Sequence, residues 1–307
     1  MFPLFVVWQF KIYERNNMIY DCFNFYNEFE LLELRLQELW DVVDYFVIAE
    51  ATVTFTNRPK PLYFKEQKKR FKKYAKKIIH VVIDDCPNVC QPWIIENWQF
   101  TQVIRGLKKA KPNDTILVGC VDELPSKEKI LEYKDKKGKH KAFMQEMSFY
   151  YLNFVSFGKE SPWPGTRMFR YKDLLTYPYN SPYIARFTPV DVEIADGGWH
   201  IRFTGGVKAI QEKLTAWSHQ EFNNDRFNTP EDITLAMRRG EDFLHTGLTF
   251  QFIDHPKLPQ TIANDPEKYA NWFLQSSQSV VPLEAVSLRL QQRLRIIVRT
   301  LLAPFRY

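Results

Sequence analysis

From Met18 onward the sequence predicts an α/β fold with a mostly parallel central sheet covered by helices on both faces. Two observations carry that prediction. Short runs rich in Ile, Val, Tyr and Phe alternate with stretches whose apolar residues recur at helical spacing, the pattern of strand–helix–strand units. Acidic residues also crowd the ends of those apolar runs, and an open α/β sheet binds its ligands outside the carboxyl ends of its strands.

Ile19 to Phe23 reads as the first strand. Asn27 offers a side-chain cap with Glu30 three residues on, and Phe29, Leu32, Leu36 and Leu39 follow at helical spacing. Tyr45 to Ala49 is the second strand and Ile78 to Ile83 the third. A helix is expected over Ile95 to Ala110, stopped by Pro112, before a central strand over Thr115 to Val121. Residues 18–125 thus form a Rossmann-type nucleotide-binding half, whose polar residues to inspect are Asp21, Glu50, Asp84, Asp85, Asp122 and Glu123. Beyond Lys141 the pattern is less regular. Aromatic strands (Phe149 to Phe157, Arg167 to Tyr171) are separated by Pro-rich joints (Ser161 to Gly165, Tyr177 to Pro182), so residues 126–250 are expected to form a smaller, acceptor-binding half. Residues 251–307 read as a C-terminal helical segment, with Arg289, Arg293, Arg295 and Arg299 set among Leu, Ile and Val. Residues 1–17 read as an N-terminal extension, because the apolar stretch Phe2 to Phe10 is far shorter than the roughly 20 residues of a membrane span.

The composition fits a globular protein. With 307 residues, 45% of them hydrophobic and 25% charged, the chain can bury a full core as one large domain or two packed lobes. Its 16% aromatic content suits stacking on sugars or bases, and equally suits core packing. The formal charge of +6 is concentrated in Lys65 to Lys77 and Lys134 to Lys141, read first as solvated surface. Cys22, Cys86, Cys90 and Cys120 show no repeated CxxC pairing and are expected to be buried thiols, not a disulfide frame or zinc site.

Two segments carry candidate chemistry. The apolar run Leu117-Val118-Gly119-Cys120-Val121 ends in Asp122-Glu123 and is stopped at Pro125. Hard divalent cations such as Mn²⁺ or Mg²⁺ take oxygen ligands, and a strand end can hold such carboxylates rigidly for a diphosphate. Asp196-Gly197-Gly198-Trp199-His200, followed by Thr204-Gly205-Gly206, Lys208 and Lys213, offers close backbone approach, a stacking ring and a metal-competent imidazole. A solvated loop with a helix cap and a structural histidine are the plainer readings of the same residues.

These segments resemble a known family in their order. Ile19-Tyr20-Asp21-Cys22-Phe23, Asn27-Glu28, Leu31 to Leu36, Val43 to Glu50, Thr54-Phe55, Lys60-Pro61-Leu62 and Asp114 look like the opening of a family 17 glycosyltransferase. Val121 to Pro125, Trp163-Pro164-Gly165-Thr166, Gly197 to His200 and Ser218-His219 continue it over residues 18–250. The resemblance implies a GT-A-like fold, a UDP-N-acetylglucosamine donor, a divalent metal and inverting transfer to a mannose hydroxyl of a glycan acceptor. It assigns the metal to Asp122, Glu123 and His200, and the base to Asp196. Asp21, Phe23, Glu50, Lys60, Asp122 and Trp199 would contact the donor. Two positions depart from the family pattern: Cys120 stands where an Asp is usual, and Gln99-Phe100 where Gln-Arg is common.

Two alternatives stand beside this reading: an inactive relative that still binds sugar nucleotides, and a nucleic-acid-binding protein using the Lys65 to Lys77 face. Acidic strand ends and the lack of any nucleic-acid motif argue against the second, so no nucleic-acid partner is expected. The sequence shows no anchor and no disulfide frame, so the expected location is cytoplasmic, with peripheral membrane contact through the basic C-terminal segment.

Overall fold

The computed structural model describes residues 17–158 and 160–274. Its strands are β1 (Ile19–Asn24), β2 (Tyr45–Ala51), β3 (Ile78–Ile83), β4 (Thr115–Cys120), β5 (Glu123–Pro125), β6 (His140–Phe149), β7 (Tyr151–Phe157), β8 (Trp163–Arg170), β9 (Val192–Ile194), β10 (Gly198–Arg202) and β11 (Thr249–Phe252). They join in one 11-stranded sheet whose main path runs β11-β7-β6-β8-β4-β1-β2-β3.

The strands β4-β1-β2-β3 are parallel to one another. Residues on both faces of β1 and β2 are buried, as near-continuous apolar runs in a parallel sheet must be. One face packs Phe23, Phe46, Ile48 and Leu117 against Leu31, Leu32, Leu34 and Leu36 of the helix Phe29–Glu38. The other packs Tyr20, Cys22, Val47 and Val118 against Phe100, Val103 and Leu107. The close approach there requires Gly106, where a Cβ would lie 2.4 Å from Val47 Cγ1. Two carboxylates tie down the start of β1: Asp114 Oδ1 accepts from Met18 N at 2.9 Å and Asp44 Oδ2 from Ile19 N at 2.8 Å.

Several boundaries differ from the sequence reading for identifiable reasons. The first helix begins at Phe29 with Glu28 at its N-cap, and Glu28 Oε2 accepts from the backbone N–H groups of Tyr26 and Asn27. Asn27 and Glu30 therefore do not form the expected box. The helix expected over Ile95 to Ala110 starts earlier, at Pro92, a residue suited to the first helical turn, and ends at Thr101 before a 3-10 stretch Gln102–Leu107. Phe149 to Phe157 is two strands turned at Tyr150, whose φ is +61°. The expected joint Ser161 to Gly165 runs into β8 from Trp163 onward, and that strand is antiparallel to both β4 and β6.

So the sheet is parallel in its first half and mixed in its second. Beyond it, the helices Gly206–Ala216 and Pro230–Arg239 close a third apolar cluster around Met147, Phe149, Phe203, Ile210 and Leu214. The basic stretch is a 3-10 helix, Lys68–Lys77, packed back on the first helix: Arg70 reaches Glu30 and Glu33, and Lys77 Nζ donates to Trp40 O and Val43 O. Of the cysteines, all free, only Cys22 is fully buried; Cys86 and Cys120 are half-buried and Cys90 is exposed. No helix among the described residues is long and apolar enough to cross a membrane. The expected basic C-terminal helix and nearly all of the N-terminal extension lie outside the described residues.

Candidate active site

The turn after β4 is built around a guanidinium. Arg35, fully buried in the first helix, donates to the carbonyls of Cys120 at 3.0 Å and Glu123 at 2.6 Å, and the carboxylate of Asp21 holds it from the other side. That strut fixes the backbone on both sides of Asp122, at the carboxyl end of a central parallel strand. Opposite it, β10 threads between β5 and β6. Gly197 and Gly198 make this possible: a Cβ on Gly198, whose φ is +122°, would lie 2.2 Å from Leu124 O, and one on Gly197 2.6 Å from Met144 N. The glycine pair is thus needed for strand packing, and it delivers His200 beside Asp122.

Here a cavity of about 520 Å³ opens. On its wall Asp122 Oδ2 accepts from Lys213 Nζ at 2.8 Å, while Oδ1 faces His200 Nε2 at 3.9 Å. Burial opposes the charge on Asp122, but Lys213 outweighs it and holds the carboxyl below the usual carboxylate value. Burial lowers the pKa of His200 to about 4 against the pull of Asp122 and Glu123, so its ring is neutral at neutral pH. Its Nδ1 is buried without a hydrogen-bond partner.

Glu123 is engaged on every side. Arg186 grips both oxygens, Trp163 Nε1 donates to Oε1 at 2.9 Å and Cys120 N donates to Oε2 at 2.9 Å. Burial raises its pKa, yet Arg186 overrides that and drives it far below the ordinary range. Among the described residues no three His, Cys, Asp or Glu side chains form a metal-ligand group. Asp122 and His200 do converge as an oxygen–nitrogen pair, and a neutral imidazole is the form that ligates metal.

The structure therefore brings Lys60, Asp122, Glu123 and His200 to one cavity. It places the other sequence-derived candidates elsewhere. Asp21 is spent on Arg35, whose guanidinium lies 4.7 Å from the ring centre of the buried Phe23. Glu50 is buried and accepts from Phe64 N and Lys65 N, with His80 Nε2 at 2.9 Å. Trp199 is a core residue donating to Lys257 O, and Asp196 is an exposed turn residue 3.5 Å from Lys257 Nζ. Asp85 pairs with Arg105.

Sequence reasoning passed over Arg186, Arg202 and Glu96, which also line the cavity. Glu96 accepts a hydrogen bond from the Ser218 hydroxyl. Burial raises the Glu96 pKa, with Ser218, Arg186 and His219 pulling the other way. The available signal was Ser218-His219, which stands among the family-like segments; its pairing with Glu96 is visible only in the fold.

No solved structure matches the chain significantly. The beta-1,4-mannosyl-glycoprotein 4-beta-N-acetylglucosaminyltransferases of Rattus norvegicus and Homo sapiens are each 30% identical to it over 124 residues, covering 38% of this chain and 23% of theirs. The Mus musculus enzyme of that name is 29% identical over the same share. The sequence model of glycosyltransferase family 17 matches residues 4–262, and the chain belongs to that family.

Proposed function

We propose that the cavity binds UDP-N-acetylglucosamine and transfers its sugar, with inversion, to a mannose or other sugar hydroxyl of a glycan. The observation that carries this reading is the convergence of Asp122, His200 and Lys213 at the carboxyl end of β4. Parallel α/β sheets bind nucleotides at that end, and a GT-A-like arrangement belongs to the same proposal. The mannose acceptor is taken from what the mammalian relatives' names state.

The residues divide the work by charge. Lys213 and Arg202, both on the cavity wall, offer cationic partners for a diphosphate. Lys60, over the rings of Tyr26 and Tyr63, adds a third at the donor side. Glu123 acts indirectly: held by Arg186 and Trp163, it anchors Cys120 N and stiffens the turn that carries Asp122. Asp122 Oδ1 and the His200 ring would hold Mn²⁺ or Mg²⁺, since Lys213 occupies only the other carboxylate oxygen. When bound, the cation neutralises charge on the departing diphosphate.

One observation favours a second reading, an inactive relative that still binds sugar nucleotides: Cys120 lies on the cavity wall where the family pattern usually has an acid. A panel of UDP- and GDP-sugars, with and without Mn²⁺, separates the two. The main reading expects Mn²⁺-dependent turnover of UDP-N-acetylglucosamine that Asp122→Asn abolishes. Binding without turnover would favour the inactive relative, and no binding of any sugar nucleotide would sink both.

A further inference from the structure

The cavity holds an acid that no step above uses. The helix Pro92–Thr101 presents Trp93 and Glu96 three residues apart, hence on one face, and both line the cavity. Trp93 is 43% exposed, its ring 4.5 Å from that of His219, which in turn lies 4.2 Å from Trp217. Ser218, immediately before His219, donates its hydroxyl to Glu96 Oε2, and among the described residues Oε1 has no hydrogen-bond partner.

The other acids on the wall are committed or peripheral. Asp122 is paired with Lys213, Glu123 with Arg186 and Glu221 with His219; Glu28 accepts from two backbone amides. Glu160 is exposed. Asp196 does not line the cavity.

Resting on the transferase reading, we propose that Glu96 is the base that deprotonates the acceptor hydroxyl, with the acceptor sugar stacked on the Trp93–His219 wall beside it. The acceptor oxygen forms a bond to the anomeric carbon of the donor sugar. The bond from that carbon to the diphosphate breaks, its electron pair leaves with the diphosphate, and the hydroxyl proton passes to Glu96 Oε1. Ser218 is the positioning residue that fixes the carboxylate's rotamer. Burial shifts Glu96 toward a stronger base, as a general base requires. The groups facing it are Arg186 and Tyr183 from the helix Pro182–Arg186, His219 and Ser218 from the turn after Ala216, and Cys120 from β4.

The test uses the full chain with UDP-N-acetylglucosamine, and methyl β-mannoside as acceptor probe. Donor affinity is read by calorimetry and UDP release across pH. The inference expects Glu96→Gln to bind donor as tightly as wild type while turnover falls by about 100-fold or more and the acid limb of its pH profile disappears. Ser218→Ala removes a donor that favours the charged carboxylate, so its acid limb moves to higher pH. Trp93→Ala raises the KM for the mannoside far more than it changes kcat. Retained turnover in Glu96→Gln overturns the inference, whereas a wild type that binds donor but releases no UDP with or without mannoside overturns the transferase reading in favour of the inactive relative. A wild type that binds no sugar nucleotide instead overturns the transferase reading on which the inference rests.

Discussion

Arg35 and Asp21 form a bidentate ion pair in the core, with Nε and Nη2 each 2.7 Å from a carboxylate oxygen and both side chains fully buried. The same guanidinium carries the turn around Asp122 through its bonds to Cys120 O and Glu123 O. Arg35→Met would leave Asp21 buried without its cation and that turn without its strut. Breaking a buried pair by removing one partner costs about 3–5 kcal/mol. Urea unfolding should show a loss of that order, and donor affinity should fall although Arg35 does not line the cavity. Arg35→Lys should recover little of either, because a single ammonium cannot reproduce the forked geometry.

Asp21 also shows what the sequence could and could not reveal. Continuous apolar runs made β1, β2 and β3 legible, because strands buried on both faces tolerate few polar residues. The same runs misdirected the search for ligands: Asp21 and Glu50 stand within strands, so their carboxylates meet Arg35, His80 and backbone amides. β6 was hidden because Lys139 and Lys141 flank its first residues and read as a solvated basic run. At the site, Asp122 and His200 were legible as a strand end and a glycine-rich turn. Lys213 was named in the segment that follows that turn, while Glu96 was not singled out, because its role depends on its helix meeting the turn after Ala216, a juxtaposition that no local pattern encodes.

His140 carries a pH-dependent part of the stability. Its ring stacks on Phe169 at 4.6 Å, Nδ1 lies 3.1 Å from Pro189 O and Nε2 is buried without a partner. Burial and then Arg167 lower its pKa from 6.5 to about 4. The unfolded chain therefore binds the proton more tightly, and stability falls as pH drops from about 6.5 to about 4, by at most about 3 kcal/mol from this group. His140→Phe keeps the stacking and removes the proton site. Denaturation midpoints measured across that window should show a shallower slope in the variant, with His200 supplying part of what remains; an unchanged slope would remove His140 from the account.

Gly198 tests the claim that the glycine pair serves strand packing. A Cβ there meets Leu124 O at 2.2 Å on a backbone with φ +122°, a conformation whose strain alone costs about 1–3 kcal/mol outside glycine. Gly198→Ala should therefore destabilise the fold by more than that and displace His200 from Asp122. A variant with wild-type melting temperature and weakened donor binding would instead assign the glycine to ligand approach.

Cys120→Asp restores the acid usual at this family position and asks what its absence costs the site. Cys120 N donates to Glu123 Oε2, and the residue shares the cavity wall with Asp122. A carboxylate there adds a hard oxygen near the Asp122–His200 pair, so under the metal-dependent transfer proposed above the Mn²⁺ concentration for half-maximal turnover should fall several-fold. It also adds like charge beside Glu123, which already takes the whole Arg186 fork. The variant should therefore melt below wild type without Mn²⁺ and regain part of that loss when Mn²⁺ is added, because binding to the folded state stabilises it by mass action. Destabilisation that Mn²⁺ leaves unchanged would place position 120 outside the metal's reach.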